Sequence, residues 1–207
     1  PLYERLKKHR AVFGSKLGWE RPNWFAPGGT DAEDVYSMGR QNWFAAVGEE
    51  HRHVREHVGI FDQSSFAKYE MTGADALKAL DWICANDVNK PVGRLTYTQL
   101  LNTRGGIEAD LTVARLGEDR FYIVTGTGFR THDLSWISDH VAQGLDATLK
   151  DVTEDFGTLS LMGPRARDVL SAVTGADVSN AAFPFGHARE IDIAGHRVRA
   201  LRVTYVG

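Results

Sequence analysis

A pattern that recurs at an offset of 90 residues constrains the fold of this 207-residue chain more than any other feature of its sequence. Each copy has the order strand, glycine turn, helix, Asp-Val and hairpin. The matching positions are Gly73 with Gly163, Ala76 with Ala166, Leu80 with Leu170, and Asp87-Val88 with Asp177-Val178. Matches of this kind can arise by chance in a chain rich in alanine and leucine. If they mark a duplicated unit, the chain has an α+β fold of two related β-α-β-β units, at about 60–125 and 150–207, with mainly antiparallel sheets.

The spacing of apolar residues predicts the individual elements of both units. Helices are expected over 49–58, over 131–143, and after the glycine turns at Gly73 and Gly163. The helix after Gly73 begins with Thr72 and Asp75 at capping-box spacing. Strands are expected at 66–71, 95–101, 107–116, 121–125 and 157–162, followed by a hairpin of 189–193 and 197–206.

Residues 1–47 differ in character from the rest of the chain. Trp19, Trp24 and Trp43 lie there among prolines and glycines. Large aromatic residues mixed with turn residues are typical of a segment that packs over another surface rather than of a regular domain. We therefore predict an N-terminal extension over 1–47 and a separate domain over 48–207.

The composition excludes several classes of protein. Lysine plus arginine (24) nearly balance aspartate plus glutamate (27), so the formal net charge of −3 gives no electrostatic basis for nucleic-acid binding. Cys84 is the single cysteine, which excludes an internal disulfide framework and indicates a reducing compartment. Because Cys84 has no basic neighbour in the sequence, it is expected to be a buried structural thiol. No apolar run approaches the roughly 18 residues that would span a membrane.

Two motifs suggest a metal or dinucleotide site, but their surroundings do not favour either. His53 and His57 form an H-x-x-E-H pattern, which is typical of a zinc protease. Val54 and Val58 occupy the face expected to be buried, so we predict a solvated helix face and no metal site. Gly126-Thr127-Gly128 is similar to a dinucleotide-binding loop, but the flanking strands are predicted to be antiparallel, so a strand-to-helix turn is expected.

The segment 102–113 carries the candidate chemistry. Strand alternation after the glycines of its turn places Glu108, Asp110 and Thr112 on one face, and apolar residues, Val113 among them, on the other. The polar face is either a solvated sheet surface or the lining of a cavity, and periodicity does not distinguish the two. In a cavity, Asp110 would accept hydrogen bonds from a polar heterocycle, stabilise a developing cation and take up a proton.

Six segments, in order along 48–207, resemble the aminomethyltransferase (glycine cleavage T-protein) family. They are residues 59–66, 71–77, 86–88, 97–98, 105–111 and 202–207. The opening, especially 18–25, is similar to the junction in dimethylglycine and sarcosine dehydrogenases, where a folate-binding domain follows an FAD-containing amine-oxidising domain. The resemblance implies a fragment of such an enzyme. In that fragment 1–47 is the linker from the FAD domain, and 48–207 is the folate-binding domain without the family's C-terminal part.

The resemblance also implies the site residues. Family members bind tetrahydrofolate in a central cavity and transfer a one-carbon unit to it. Asp110 matches the carboxylate beside the pterin and the transfer centre, and is expected to be the catalytic residue. Folate contacts are expected from Asp110 and from five further residues: Phe66, Tyr97, Thr112, Val113 and Tyr205. Simple pairing across the 102–106 turn places Tyr97 opposite Leu111, on the face away from Asp110. Either a β-bulge that shifts the register or a wrong assignment of these residues would account for the difference.

The expected function is tetrahydrofolate binding and one-carbon transfer within a flavin-dependent dimethylglycine or sarcosine dehydrogenase. The domain would capture the iminium carbon as methylene-tetrahydrofolate. FAD is expected in the preceding domain of the parent chain rather than in this chain, and the substrate is a small N-methyl amine or its iminium. One alternative is a free-standing aminomethyltransferase or folate-dependent demethylase. An alternative of another class is a non-catalytic folate-binding or structural module.

The resemblance carries two further expectations. The location is expected to be intracellular, cytoplasmic in a bacterium and the mitochondrial matrix in a eukaryote. In the family, a Gly-Glu-x-Gly-aromatic-Glu segment beyond the position of Gly207 anchors the pterin through its last carboxylate. The 207-residue fragment alone is therefore expected to bind folate weakly and to be inactive.

Overall fold

The computed structural model describes residues 2–204 of the chain. The elements along them are α1 (Leu2–Lys8), β1 (Ala11–Lys16), β2 (Trp19–Phe25), α2 (Phe44–Glu56), β3 (Gly59–Asp62), β4 (Ala67–Thr72), α3 (Ala76–Ile83), β5 (Leu95–Leu101), β6 (Ile107–Gly117), β7 (Arg120–Thr125), α4 (Arg130–His140), β8 (Thr148–Asp151), β9 (Leu159–Met162), α5 (Ala166–Val173), β10 (His187–Ile193) and β11 (His196–Arg202). They form two compact units, Pro1–Gln63 with Thr158–Asp168, and Ser64–Gly157 with Val169–Gly207. Within residues 2–204, no helix has the length and apolar character needed to cross a membrane.

The first unit combines two small antiparallel sheets with helices α1 and α2. β1 pairs with β2 through the tight turn Leu17-Gly18, where both residues have positive φ, and β3 pairs with β9. The side chain of Trp24 is buried and packs against Trp43, and its Nε1 donates a hydrogen bond to Asp34 at 2.8 Å. The sequence did not predict the β1–β2 hairpin, because a proline and several polar residues interrupt the alternation of β2.

The second unit is built on a five-stranded antiparallel sheet with the strand order β5-β6-β7-β4-β8. Helices α3 and α4 pack on one face, which we call the core face, because their apolar residues recur at helical spacing and are buried there. On the opposite face the β10–β11 hairpin packs through Ala188 against Ala114 and Tyr122. We call this second face the hairpin face. Successive residues of each strand therefore alternate between the core face and the hairpin face.

The two copies of the internal repeat recur in the structure. α3 and α5 are both eight residues long, and they begin 90 positions apart. A glycine with strongly positive φ precedes each helix, +127° at Gly73 and +117° at Gly163. Cys84 and Thr174, also 90 positions apart, each form an isolated bridge to the hairpin that follows. The prediction of an α+β fold with two related β-α-β-β repeats and mainly antiparallel sheets is confirmed.

The turn before α3 differs from the one predicted. Thr72 is the last residue of β4, and α3 begins at Ala76 without a side-chain cap from Asp75, so the capping-box prediction is wrong. The Asp75 carboxylate instead accepts a hydrogen bond from the backbone N–H of Asp146 at 2.9 Å. A Cβ at Gly73 would lie 2.2 Å from the carbonyl oxygen of Asp146. Glycine is therefore required at position 73 both for its φ and for this close approach.

Candidate functional site

The β5–β6 pairing contains a β-bulge near its turn. Leu101 pairs with Ile107, whereas the next pair is Leu100 with Ala109. Glu108 is therefore an extra residue in β6, without a partner in β5. Beyond the extra residue, each residue of β5 pairs with a residue one position further along β6 than it would without the bulge. Because side chains alternate between the two faces, every β5 side chain there shares a face with a different set of β6 side chains.

The bulge brings the two main candidate residues together. Tyr97 pairs with Thr112 rather than with Leu111, and so lies on the hairpin face with Asp110. The Tyr97 hydroxyl donates a hydrogen bond to Oδ2 of Asp110 at 2.5 Å. The β-bulge that the expected contacts of Tyr97 and Asp110 require is present in the structure.

The Tyr97–Asp110 pair is open to a ligand. Tyr97 is 59% exposed, and Asp110 is also exposed. A hydrogen bond from a phenol to a carboxylate is short and strong, so it fixes the orientation of the Asp110 carboxylate. An oriented, accessible carboxylate can accept N–H donors, take up a proton and stabilise a nearby positive charge.

The other residues implied by the resemblance lie in different places. Thr112 is half-buried on the hairpin face. Val113 points to the core face, where it is buried, so only its backbone remains for a ligand on the hairpin face. Phe66 immediately precedes β4 and is half-buried. Tyr205 lies outside the described residues.

The sheet register adds Lys68, which the sequence analysis did not identify. Thr112 pairs with Val124, and Val124 pairs in turn with Lys68, so the three lie in one row across the hairpin face. Lys68 is fully buried, and its Nζ donates a hydrogen bond to the carbonyl oxygen of Ser64 at 2.7 Å. A buried ammonium group needs such partners. A lysine within a strand is the sequence signal, but only the register shows which face it occupies.

A chain of polar contacts runs from the core face to the bulge. The carboxylate of Asp133 is fully buried, and it accepts a hydrogen bond from the Thr125 hydroxyl at 2.7 Å. Nδ1 of His132 lies 2.9 Å from the other Asp133 oxygen, within hydrogen-bonding distance. Nε2 of His132 lies 3.7 Å from Oε2 of Glu108. Oε1 of Glu108 accepts a hydrogen bond from Nδ2 of Asn102 at 2.7 Å.

The environment of Cys84 does not favour a nucleophile. The residue is half-buried at the end of α3. Burial raises the pKa of its thiol to about 12, which outweighs the opposing effect of a hydrogen bond with Thr98. The thiol is therefore neutral near pH 7, and the thiolate is the reactive form.

The H-x-x-E-H pattern lies at the exposed C-terminal end of α2, with His57 immediately after the helix. The rings of His53 and His57 are 4.9 Å apart, and both residues are exposed. Within residues 2–204, no group of three or more histidine, cysteine, aspartate or glutamate side chains has an arrangement that would hold a metal ion.

Comparison with known proteins decides the family. Residues 2–207 match the family described as the GCVT N-terminal domain. The chain belongs to this family. The resemblance to aminomethyltransferases is thereby confirmed, and the chain is an aminomethyltransferase-type domain of the kind found in dimethylglycine and sarcosine dehydrogenases.

Two relatives and one solved structure define the similarity. The 4-methylaminobutanoate oxidase (formaldehyde-forming) of Paenarthrobacter nicotinovorans is 40% identical over 207 residues, which are 100% of this chain and 25% of that protein. The mitochondrial dimethylglycine dehydrogenase of Mus musculus is 37% identical over 207 residues, 100% of this chain and 24% of that protein. The chain thus spans about a quarter of the length of these relatives.

A solved structure of a shorter protein than these two relatives is also similar, and the match covers a larger share of its chain. The crystal structure of the glycine cleavage system aminomethyltransferase T from Bartonella henselae superposes with a TM-score of 0.73 at 28% identity. The match covers 93% of this chain and 47% of that one. The GCVT fold is therefore shared over nearly the whole of this chain.

Proposed function

We propose that this chain is the tetrahydrofolate-binding, one-carbon-transfer domain of a flavin-dependent N-methyl amine dehydrogenase. Its substrate would be dimethylglycine, sarcosine or a similar small amine. The observation that carries the proposal is the hydrogen bond between Tyr97 and Asp110 on an exposed sheet face. Membership of the GCVT family and similarity to a dimethylglycine dehydrogenase support the class of reaction.

The residues present suit a reduced pterin. A pterin carries several N–H donors, and the Asp110 carboxylate accepts such donors. The ring of Tyr97 is exposed and offers a flat apolar surface against which a heterocycle would stack. The Thr112 hydroxyl beside them adds one donor and two acceptor positions.

Asp110 and Tyr97 would have separate tasks in the transfer. Bound tetrahydrofolate would supply the nitrogen that takes up the one-carbon unit, and FAD in a preceding domain would supply the oxidation of the N-methyl amine to an iminium. The negative charge of Asp110 would stabilise the cationic carbon, and its carboxylate would accept the proton lost from the attacking N–H when the new C–N bond forms. The carboxylate would return this proton to the amine nitrogen as the old C–N bond breaks and the demethylated amine leaves. Tyr97 would orient this carboxylate through the hydrogen bond to Oδ2.

Replacing Asp110 tests the proposal in the complete protein. In Asp110→Asn, the rate of amine oxidation, measured through the reduction of a dye, should not change, because this reaction would occur in the flavin domain. The yield of methylene-tetrahydrofolate per amine oxidised should fall by about 10²-fold or more, which is the usual contribution of a general base. Glu118→Gln, a change of an exposed carboxylate in the turn between β6 and β7, is the matched control. We call the yield of methylene-tetrahydrofolate per amine oxidised the coupling. Unchanged coupling in Asp110→Asn would refute the proposed role of Asp110 in one-carbon transfer.

A second candidate function comes from the name of one relative. The Paenarthrobacter enzyme is described as formaldehyde-forming, so the one-carbon unit in the present protein could also leave as formaldehyde. The two products are distinguished by measuring formaldehyde and methylene-tetrahydrofolate with and without added tetrahydrofolate. Formaldehyde formation that tetrahydrofolate does not reduce would favour the second candidate, and a non-catalytic role of the folate-binding face.

A further inference from the structure

The bulge residue Glu108 determines whether Tyr97 and Asp110 can meet. With Glu108 outside the pairing, Tyr97 is opposite Thr112 and on the same face as Asp110. If Glu108 entered the pairing, the register would slip by one residue, and the Tyr97 side chain would share a face with Leu111 instead. The slip would place a tyrosine in the core and move its hydroxyl away from Asp110.

Two side chains hold Glu108 in its position, one from each side. From the turn, Nδ2 of Asn102 donates to Oε1 of Glu108 at 2.7 Å. Asn102 is itself fixed, because its Oδ1 accepts hydrogen bonds from the backbone N–H groups of Arg104 and Gly106, both at 2.9 Å. From α4, Nε2 of His132 lies 3.7 Å from Oε2 of Glu108.

The histidine is anchored in turn to the interior of the unit. Nδ1 of His132 contacts Asp133 at 2.9 Å, and the fully buried Asp133 also accepts the hydrogen bond from Thr125 at the end of β7. Removing one partner of a buried, hydrogen-bonded carboxylate is costly, so this end of the chain of contacts has little freedom. Glu108 is thus tied to a rigid part of the sheet as well as to its own turn.

We infer that Glu108 is a positioning residue: held by Asn102 and His132, it maintains the β-bulge that places the Tyr97 hydroxyl on the Asp110 carboxylate. Glu108 acts through the register of β5 and β6 and does not itself contact the reacting groups. Its effect on one-carbon transfer rests on the proposed function, whereas its effect on the register does not.

Engineered disulfides measure the register in the complete protein. The carbonyl oxygens of Tyr97 and Gln99 accept hydrogen bonds from Asn86 and Ala85, on the side of β5 away from β6. Tyr97 and Thr112 therefore form a non-hydrogen-bonded pair, whose Cβ atoms are close enough for a disulfide. Tyr97→Cys with Thr112→Cys reports the observed register, and Tyr97→Cys with Leu111→Cys reports the slipped one.

Each cysteine pair is oxidised under identical conditions, and the linked peptides are quantified by mass spectrometry. With Glu108 present, the 97–112 disulfide should dominate. Glu108→Ala should lower the ratio of 97–112 to 97–111 product by about tenfold, the usual effect of losing a hydrogen bond to a charged group. Glu118→Ala, which removes the exposed partner of Arg115 at the β6–β7 turn, should leave the ratio unchanged. An unchanged ratio in Glu108→Ala would overturn the inference.

The second readout is the yield of methylene-tetrahydrofolate per amine oxidised in two variants that remove different parts of the Glu108 side chain. Glu108→Gln keeps an oxygen for Asn102 and removes only the negative charge that faces Nε2 of His132, so it should retain more methylene-tetrahydrofolate per amine oxidised than Glu108→Ala. Full coupling in Glu108→Ala would contradict the inference. If Asp110→Asn also leaves coupling intact, the proposed function fails, and the disulfide ratio still decides the role of Glu108. If Glu108→Ala does not fold, both quantities are measured in Glu108→Gln and His132→Gln instead. A ratio of 97–112 to 97–111 disulfide that is unchanged in both variants would overturn the inference.

Discussion

Arg199 in β11 donates a hydrogen bond to Glu70 in β4 at 3.1 Å, between residues 129 positions apart in the sequence. The guanidinium group also lies 4.4 Å from the ring centroid of Tyr122 and 5.0 Å from that of Phe156. Only 11% of the Arg199 side chain is exposed. Ionic, hydrogen-bond and cation–π contacts therefore converge on one residue and attach the β10–β11 hairpin to the sheet.

Arg199→Met should loosen the hairpin, because it removes the charge while keeping most of the apolar side chain. Loss of a largely buried ionic partner is expected to lower the local opening free energy by roughly 3 kcal/mol. Hydrogen exchange of peptides covering 187–202 in the complete protein measures this directly. Arg197→Met is the control, since 68% of the Arg197 side chain is exposed and its ion pair should contribute less than about 1 kcal/mol. Equal exchange in the two variants would contradict the prediction.

The same contact predicts an acid dependence of stability. Burial alone would raise the pKa of Glu70, but hydrogen bonds and charges of Arg120 and Arg199 outweigh it and hold the pKa below the ordinary value of 4.5. A carboxyl group with a lowered folded-state pKa adds stability that is fully present above its ordinary pKa. That stability is lost as the pH falls through the lower folded-state value.

Glu70→Gln should therefore weaken the hairpin near neutral pH and flatten the loss of stability below about pH 4.5. The measurement is hydrogen exchange of β10 and β11 at several acid pH values, corrected for intrinsic exchange rates. Glu118→Gln serves as the control, because its carboxylate is mostly exposed. An acid dependence that is the same with and without Glu70 would show that this contact does not set it.

Gly73→Ala should destabilise the second unit more than an equivalent change at Gly144. Both glycines have positive φ, +127° and +83°, but only at Gly73 would a new Cβ meet a backbone oxygen, that of Asp146 at 2.2 Å. Backbone strain alone costs about 1 kcal/mol, as expected for Gly144→Ala, whereas strain plus overpacking should cost roughly 3 kcal/mol at Gly73. Urea denaturation of both variants checks the difference. Similar midpoints would mean that the turn relaxes to admit the methyl group.

The strands of the second unit were predictable because their alternation is strong. In β6, buried Ala109, Leu111 and Val113 alternate with Asp110 and Thr112, and the structure places them on opposite faces as expected. The segment before α2 was less readable from its sequence. The sequence indicated the aromatic and turn residues of that segment, but not the β1–β2 pairing that buries Trp24, because pairing depends on a partner strand rather than on local spacing.

The register of the candidate site was not predictable from periodicity. Glu108 looks like one more outward-facing residue of an alternating strand, and only the pairing of Leu101 with Ile107 and of Leu100 with Ala109 distinguishes it as a bulge. Asp133 likewise has the sequence appearance of a surface residue in a helix, although it is fully buried. His132 belongs to a different element from Glu108, and Asp133 is buried because α4 packs on the core face of the sheet, and local spacing records neither relationship.

The two repeat helices, α3 and α5, differ in how much of their surface is buried. α3 buries four residues, whereas none of the residues of α5 is buried, and Val169 and Val173 are 41% and 44% exposed. An apolar stripe on an accessible helix attracts similar stripes on other molecules as the concentration rises. The colloidal stability of the isolated 207-residue chain should therefore be limited by α5, and its light scattering should increase with concentration and with added sulfate.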